Sequence, residues 1–176
     1  MSLLELLGLR PRKSREPRNP LAEEIRQRLG NLPPERAEFV AAFAGLLVRV
    51  AHADENISPA EREALRRLVV EKVGLAPEEA EAVADIVTRH AEAVGGIEYA
   101  RLTEAMNRLG TQQDKERLVD CLYAIATAES PVTIVEDEEI RAVARALLLS
   151  HSEFIRIRSR YREQLEVLQA LRKKKT

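Results

Sequence analysis

The stretch LLVRVAHADENISPAEREALRRL, Leu46 to Leu68, is met again 75 residues later as CLYAIATAESPVTIVEDEEIRAV, Cys121 to Val143. No gap is needed to align the two. Leu46 falls on Cys121, Leu47 on Leu122, Val50 on Ile125, Ala51 on Ala126, Leu65 on Ile140, Arg66 on Arg141 and Leu68 on Val143. The turn chemistry repeats with the apolar positions: Asp54 aligns with Glu129, Ile57 with Val132, Ser58 with Thr133, and Glu61 with Glu136. Ser or Thr followed three residues later by Glu is a capping box, in which hydroxyl and carboxylate satisfy the first free amides of a helix. Each unit therefore reads as an apolar helix, an acid, a short connection, a capping box and an amphipathic helix. Two copies of such a unit make a duplicated globule; a solenoid would need at least three.

Working outward, Phe39–Ala53 and Leu118–Ala128 are apolar on nearly every face, so they are expected to be buried all round and to form the centre. Amphipathic helices are expected around them at Leu21–Leu29, Pro59–Val73, Pro77–Val94, Ile134–Leu148 and Ser152–Leu171, with Ile97–Leu109 either a helix or a loop and a helix. Gly30, Gly74, Gly95–Gly96 and Gly110 each follow a helix-period stretch, where a left-handed C-cap is wanted. No strand pattern competes. The expectation is an all-α globule of about seven to nine helices with an internal pseudo-twofold repeat.

Composition agrees. The 176 residues include 24 Ala, 23 Leu and 24 Glu, all good helix formers, with three Phe, three Tyr and no Trp. The single Cys forms no intramolecular disulfide, and Cys121 lies in an apolar stretch where a buried, inert thiol is expected. No apolar run approaches the roughly 20 residues that span a bilayer, so a cytoplasmic address is expected.

The division expected is a segment 1–20, apolar and then basic and Pro-rich, a helical domain 21–171 with repeat halves at about 36–75 and 111–150, and a basic tail 172–176. Met1–Leu9 followed by Arg10, Arg12, Lys13, Arg15 and Arg18 offers a weak contact of residues 1–18 with an anionic membrane surface. Charge is polarised. Asp54–Val94 holds ten acids and five bases, net −5; Arg156–Lys175 holds eight bases and two acids, net +6. The formal charge of the whole is −1, which does not suggest a nucleic-acid binder. Tyr161, set among Arg156, Arg158, Arg160 and Arg162, could stack on a base, but helical spacing puts Ile157 and Tyr161 on a buried stripe, and no nucleic acid is expected.

The motif Ala-His-Ala-Asp54-Glu-Asn-Ile57-Ser58-Pro-Ala-Glu61, with its echo Ala-Thr-Ala-Glu129-Ser-Pro-Val132-Thr133-Ile-Val-Glu136, resembles the "A-x-A-D-G-x-I-S-x-x-E" signature of TerB-like proteins, bacterial all-helical modules named from tellurite-resistance operons. Leu122-Tyr-Ala-Ile-Ala126 and Ile140–Leu149 followed by Ser-His-Ser-Glu-Phe-Ile155 add to it, and the likeness covers roughly 33–162. The resemblance implies the all-α pseudo-twofold fold, a link to tellurite or stress response, and no established reaction. It also implies an acidic-loop site for a divalent cation. Here Glu55 and Ser130 stand where the signature has Gly, and Pro131 stiffens the second loop.

Asp54, Glu61, Glu129 and Glu136 are the candidate metal ligands. Asp54, Asn56, Ser58 and Glu61 stand at positions one, three, five and eight of a loop, but Pro59 and Leu65 replace the Gly and Glu of an EF-hand, which is excluded. Helix capping by Ser58, Glu61, Thr133 and Glu136 accounts for the same residues without metal, and no cofactor is expected. His52, His90 and His151 are scattered, no nucleophile elbow or phosphate loop occurs, and acids such as Asp137-Glu138-Glu139 suit the first turn of a helix. No enzyme is expected. The function expected is a protein-interaction module whose acidic ridge near the repeat loops meets an unidentified basic partner. The alternatives are a divalent-metal regulatory module using those loops, and a peripheral membrane adaptor using the N-terminus.

Overall fold

The computed structural model describes residues 20–30, 32–51, 57–90, 96–128 and 130–165. Among them are eight α-helices: α1 (Pro20–Leu29), α2 (Pro34–Ala51), α3 (Pro59–Leu68), α4 (Pro77–Arg89), α5 (Ile97–Leu109), α6 (Gln112–Ala126), α7 (Ile134–Ala146) and α8 (His151–Arg158). A π turn, Val69–Val73, extends α3, and a 3₁₀ turn, Ser159–Gln164, extends α8. The described residues contain no β-strand beyond one isolated parallel bridge, Val132 to Leu165.

The apolar helices are central. Every residue from Val40 to Val48 is buried, as are Leu118, Val119, Cys121, Leu122, Tyr123, Ile125 and Ala126. α2 packs most extensively on α5 and α1, then on α6 and α4. Gly45 makes the triple crossing possible. A Cβ there would stand 2.8 Å from Leu102 Cδ1 of α5 and 3.0 Å from Leu21 Cδ2 of α1. Arg49, the one charge in this apolar run, leaves the core through a cation–π contact with Tyr99 (4.4 Å to the centroid) and a 3.4 Å approach to Glu139.

The two copies obey one plan. Leu46 and Cys121, Leu47 and Leu122, Leu65 and Ile140, Leu68 and Val143, Val69 and Ala144 are all buried. Contacts between copies are reciprocal, α3 lying against α6 and α7 against α2, as a pseudo-twofold requires. The duplication also extends further than the ungapped alignment. The π turn takes up one more residue than an α turn, so the spacing between copies becomes 74. Left-handed residues then match, Gly74 (φ 76°) with Leu148 (φ 63°). Leu75 matches Leu149, both buried. Ala76 matches Ser150, each the N-cap of the next helix. Glu79 and Glu153 each accept from that N-cap amide, at 2.9 and 2.7 Å. The repeated unit is thus three helices, α2–α4 and α6–α8.

Several boundaries differ from those expected. The segment after Ser150 is not one long helix, because its α-helix ends at Arg158 and tightens to 3₁₀. That turn brings Gln164 back to accept from Val132 N–H at 2.8 Å and seats Tyr161 on Tyr123. α6 ends at Ala126 and α7 at Ala146, two residues early in each case. Gly30 and Gly74 are left-handed as expected, whereas Gly110 has φ −83° and extends the chain straight to the Thr111 N-cap. His90, whose spacing continues the apolar positions Ala80, Val83, Ala84 and Val87, is only half-buried and not a core residue. It is the C-cap of α4, and its Nε2 lies 2.6 Å from Glu24 of α1, whose other oxygen accepts from Arg89 at 2.8 Å.

Candidate functional site

At the first corner, Ser58 Oγ accepts from Glu61 N–H at 3.1 Å and Glu61 Oε2 accepts from Ser58 N–H at 2.9 Å. At the second, Thr133 Oγ1 accepts from Glu136 N–H at 3.2 Å, while Glu136 Oε2 accepts from Thr133 N–H (2.7 Å) and from its hydroxyl (2.8 Å). Both expected capping boxes therefore exist, and the structure assigns Glu61 and Glu136 to their own helix starts. Asp54 and Glu129, with Asn56 and His52, lie outside the described residues. The four candidate ligands are therefore not seen together, and the described residues contain no group of three or more His, Cys, Asp or Glu that could hold a metal. Two further boxes, Thr111 with Asp114 and Ser150 with Glu153, start α6 and α8.

The second corner also holds a polar cluster that sequence reasoning missed. Asp137, 9% exposed, projects inward from the first turn of α7. Its Oδ1 accepts from Tyr123 Oη at 2.7 Å and from Arg158 Nε at 2.9 Å; its Oδ2 accepts from Arg158 Nη2 at 2.7 Å. Such a bidentate fork is the strong form of ion pair. Burial alone would raise the Asp137 pKa, but Arg158 and the Tyr123 hydroxyl outweigh it and hold the carboxyl below its ordinary value. Burial first, and then the bond to Asp137, push the Tyr123 phenol far up. Tyr161 stacks on Tyr123 (centroids 5.0 Å apart, 18°) and donates to the Asp120 carbonyl at 2.9 Å. One face of its ring therefore lies against Tyr123.

Beside this cluster is a small cleft of about 210 Å³, formed where the α7 start, the Val132 turn, Arg158 and Leu165 meet. Asp137 forms part of its wall, but both of its oxygens are already engaged. A carboxylate so held favours its ionised form and joins α6, α7 and α8. Asp137 and Arg158 could have been suspected from one signal, because the 75-residue shift sets Asp137 against Arg62, a charge reversal inside a matched frame.

Elsewhere the polar groups serve the fold. Cys121 is 1% exposed, and burial, with Asp120 adding to it, pushes its thiol up to about 12. Arg156 pairs with Glu116 at 2.7 Å and Arg160 with Asp120 at 3.1 Å, tying α8 and its extension to α6. On the first copy, Arg62 contacts Glu81 (2.5 Å) and Asp85 (2.6 Å), and Arg66 contacts Glu63 (2.6 Å). The three carboxylates remain 51–61% exposed, forming a ridge along α3 and α4.

A duplicated three-helix unit, with apolar helices at its centre and a capping box at each corner, defines an all-helical pseudo-twofold module. A family model described as "Tellurite resistance protein TerB" matches residues 40–159, which is most of both copies. The chain belongs to the TerB family. No curated protein and no solved structure was found to match it. α1 precedes the matched region and packs onto it through Leu21 and Ile25. None of the described helices is long and apolar enough to cross a membrane.

Proposed function

We propose that this TerB-family chain is a non-enzymatic, cytoplasmic protein-interaction module linked to tellurite or stress response, whose acidic ridge on α3 and α4 meets a basic partner. The observation that supports this reading is how the polar residues are used. Those at the corners serve capping and internal ion pairs, while Glu63, Glu81 and Asp85, though paired with Arg62 and Arg66, keep most of their surface in water along one ridge. Complementary charge of this kind speeds encounter and selects partners, and its effect falls with salt.

The test is capture by cross-linking in the source cell, comparing the natural chain with one carrying Glu63→Lys, Glu81→Lys and Asp85→Lys. The expected result is a basic protein that the natural chain retains, the reversed chain loses, and added salt releases. Capture that is indifferent to the reversal overturns the reading. The regulatory-metal alternative predicts heat on titration with calcium, magnesium, manganese or zinc that disappears in Asp54→Ala, and a flat titration removes it. The membrane alternative predicts co-sedimentation with anionic liposomes that depends on residues 1–20.

A further inference from the structure

The two copies differ in one respect that the fold does not require. Of the five large apolar side chains exposed among the described residues, four belong to the second copy: Ile134 (58%), Val135 (60%), Leu148 (74%) and Ile155 (40%). The matching places in the first copy hold Pro59, Ala60, Gly74 and Glu81, which are small or charged. Leu148 is the clearest case. It adopts φ 63°, a left-handed conformation that strains a side chain with a Cβ, where the first copy uses glycine. At 74% exposure Leu148 gains little from packing within the chain. Two copies under the same structural demands have diverged toward apolar surface on one of them, so the cause lies outside the monomer.

The residues on α7 have a pattern. Ile134, Glu138, Arg141 and Arg145 recur at i, i+4, i+7 and i+11, which places them on one helical face, and Leu148 follows in the turn just beyond the Leu147 C-cap. This stripe is self-complementary. Turned antiparallel about a twofold near Arg141, Ile134 meets the partner's Leu148 and Glu138 meets the partner's Arg145, each contact occurring twice. Arg145 is exposed and forms no ion pair among the described residues. The charge that would otherwise face its own copy is drawn aside, since the Arg141 guanidinium lies 5.5 Å from the centroid of Phe154 and its Nε 3.7 Å from Glu138. The first copy lacks this pattern, because Val70 stands where Arg145 would be.

We propose that the exposed face of α7 is a homodimer interface, in which a second copy of this chain packs antiparallel across Ile134, Glu138, Arg145 and Leu148. A helix face about 18 Å by 10 Å is smaller than the roughly 600 Å² per partner of stable complexes, so the dimer is weak and concentration-dependent. This face is separate from the acidic ridge and its test is independent of that reading.

The test is sedimentation velocity of the full chain from about 1 µM to about 1 mM. The natural chain is expected to shift from monomer to dimer across that range. Glu138→Arg and Arg145→Glu, each alone, are expected to weaken the dimer at least about tenfold, since each sets like charges opposite one another. The chain carrying both is expected to recover it, because the reversed pairs match again across the twofold. A circular dichroism melt of each variant shows that the monomer fold is retained, and recovery in the double variant does not depend on that control. A monomer throughout, a dimer that ignores both single reversals, or a double variant that fails to recover overturns the proposal.

Discussion

Arg62 and Asp137 occupy the same place in the two copies with opposite charge, and each bonds to a helix that follows it. Arg62 on α3 reaches Glu81 and Asp85 on α4 at 2.5 and 2.6 Å; Asp137 on α7 reaches Arg158 at the end of α8 at 2.7 Å. The copies keep the clasp between their second and third helices and reverse its polarity. Burial does not reverse with it. The Arg62 pairs lie in water and contribute little, whereas the Asp137 pair is largely withdrawn from water, with Tyr123 bonded to the carboxylate, and losing one partner there is costly.

Replacing Asp137 by Asn is therefore expected to destabilise the protein by about 2–3 kcal/mol, since the amide keeps a contact to Tyr123 but leaves Arg158 without its counter-charge. At this chain length that corresponds to a fall in melting temperature of about 5–10 °C, read by calorimetry. Arg62→Gln, the counterpart change on the first copy, is expected to move it by less than about 0.5 kcal/mol. Equal effects would show that the second-copy clasp is not the buried one.

The pH dependence of the same pair has a definite sign. The folded pKa of Asp137 lies below its unfolded value of about 3.9, so the carboxylate form contributes stability that is fully present above about pH 4 and is lost as pH falls through the folded pKa. Urea denaturation of the natural chain and of Asp137→Asn should give a stability gap that is constant from about pH 7 to 5 and closes below about pH 4. A gap that widens in acid would contradict the depressed pKa.

Leu148→Gly is expected to stabilise the monomer by about 0.5–1 kcal/mol. Glycine removes the left-handed strain of about 1–2 kcal/mol and returns part of the gain through its freer unfolded chain. Denaturant melts at dilute protein, where monomer prevails, check this. Destabilisation would mean that Leu148 makes contacts within the chain that outweigh its strain.

Gly45→Val is expected to lower stability by about 2–3 kcal/mol. The new Cβ would meet Leu102 and Leu21, and packed interiors accommodate added atoms only by strain. The small gain in helix propensity over glycine does not offset this. A melt within about 1 °C of the natural chain would show that α1 and α5 yield freely at the crossing.

Much of this protein was legible in the order of its residues. The fold class, the central place of α2 and α6, the Ser58 and Thr133 caps and the duplication all arise from local patterns: apolar periodicity, and hydroxyl-to-carboxylate spacing within one helical turn. The TerB signature added the family, which the match over residues 40–159 bears out. Tertiary structure alone decided the rest. It gave the one-residue slip at Val69–Val73, because a π turn is set by what the helix must reach at its far end. It turned Asp137 inward, although its position four residues after the Thr133 cap invites a solvent-facing, dipole-complementing reading, because Arg158, 21 residues later, and Tyr123, 14 residues earlier, converge there. It ended the last α-helix at Arg158, because Val132 holds Gln164. Caps and periodicity act across a few bonds and are written in neighbouring letters. A buried ion pair acts across space, and where its partners lie depends on how every helix between them packs.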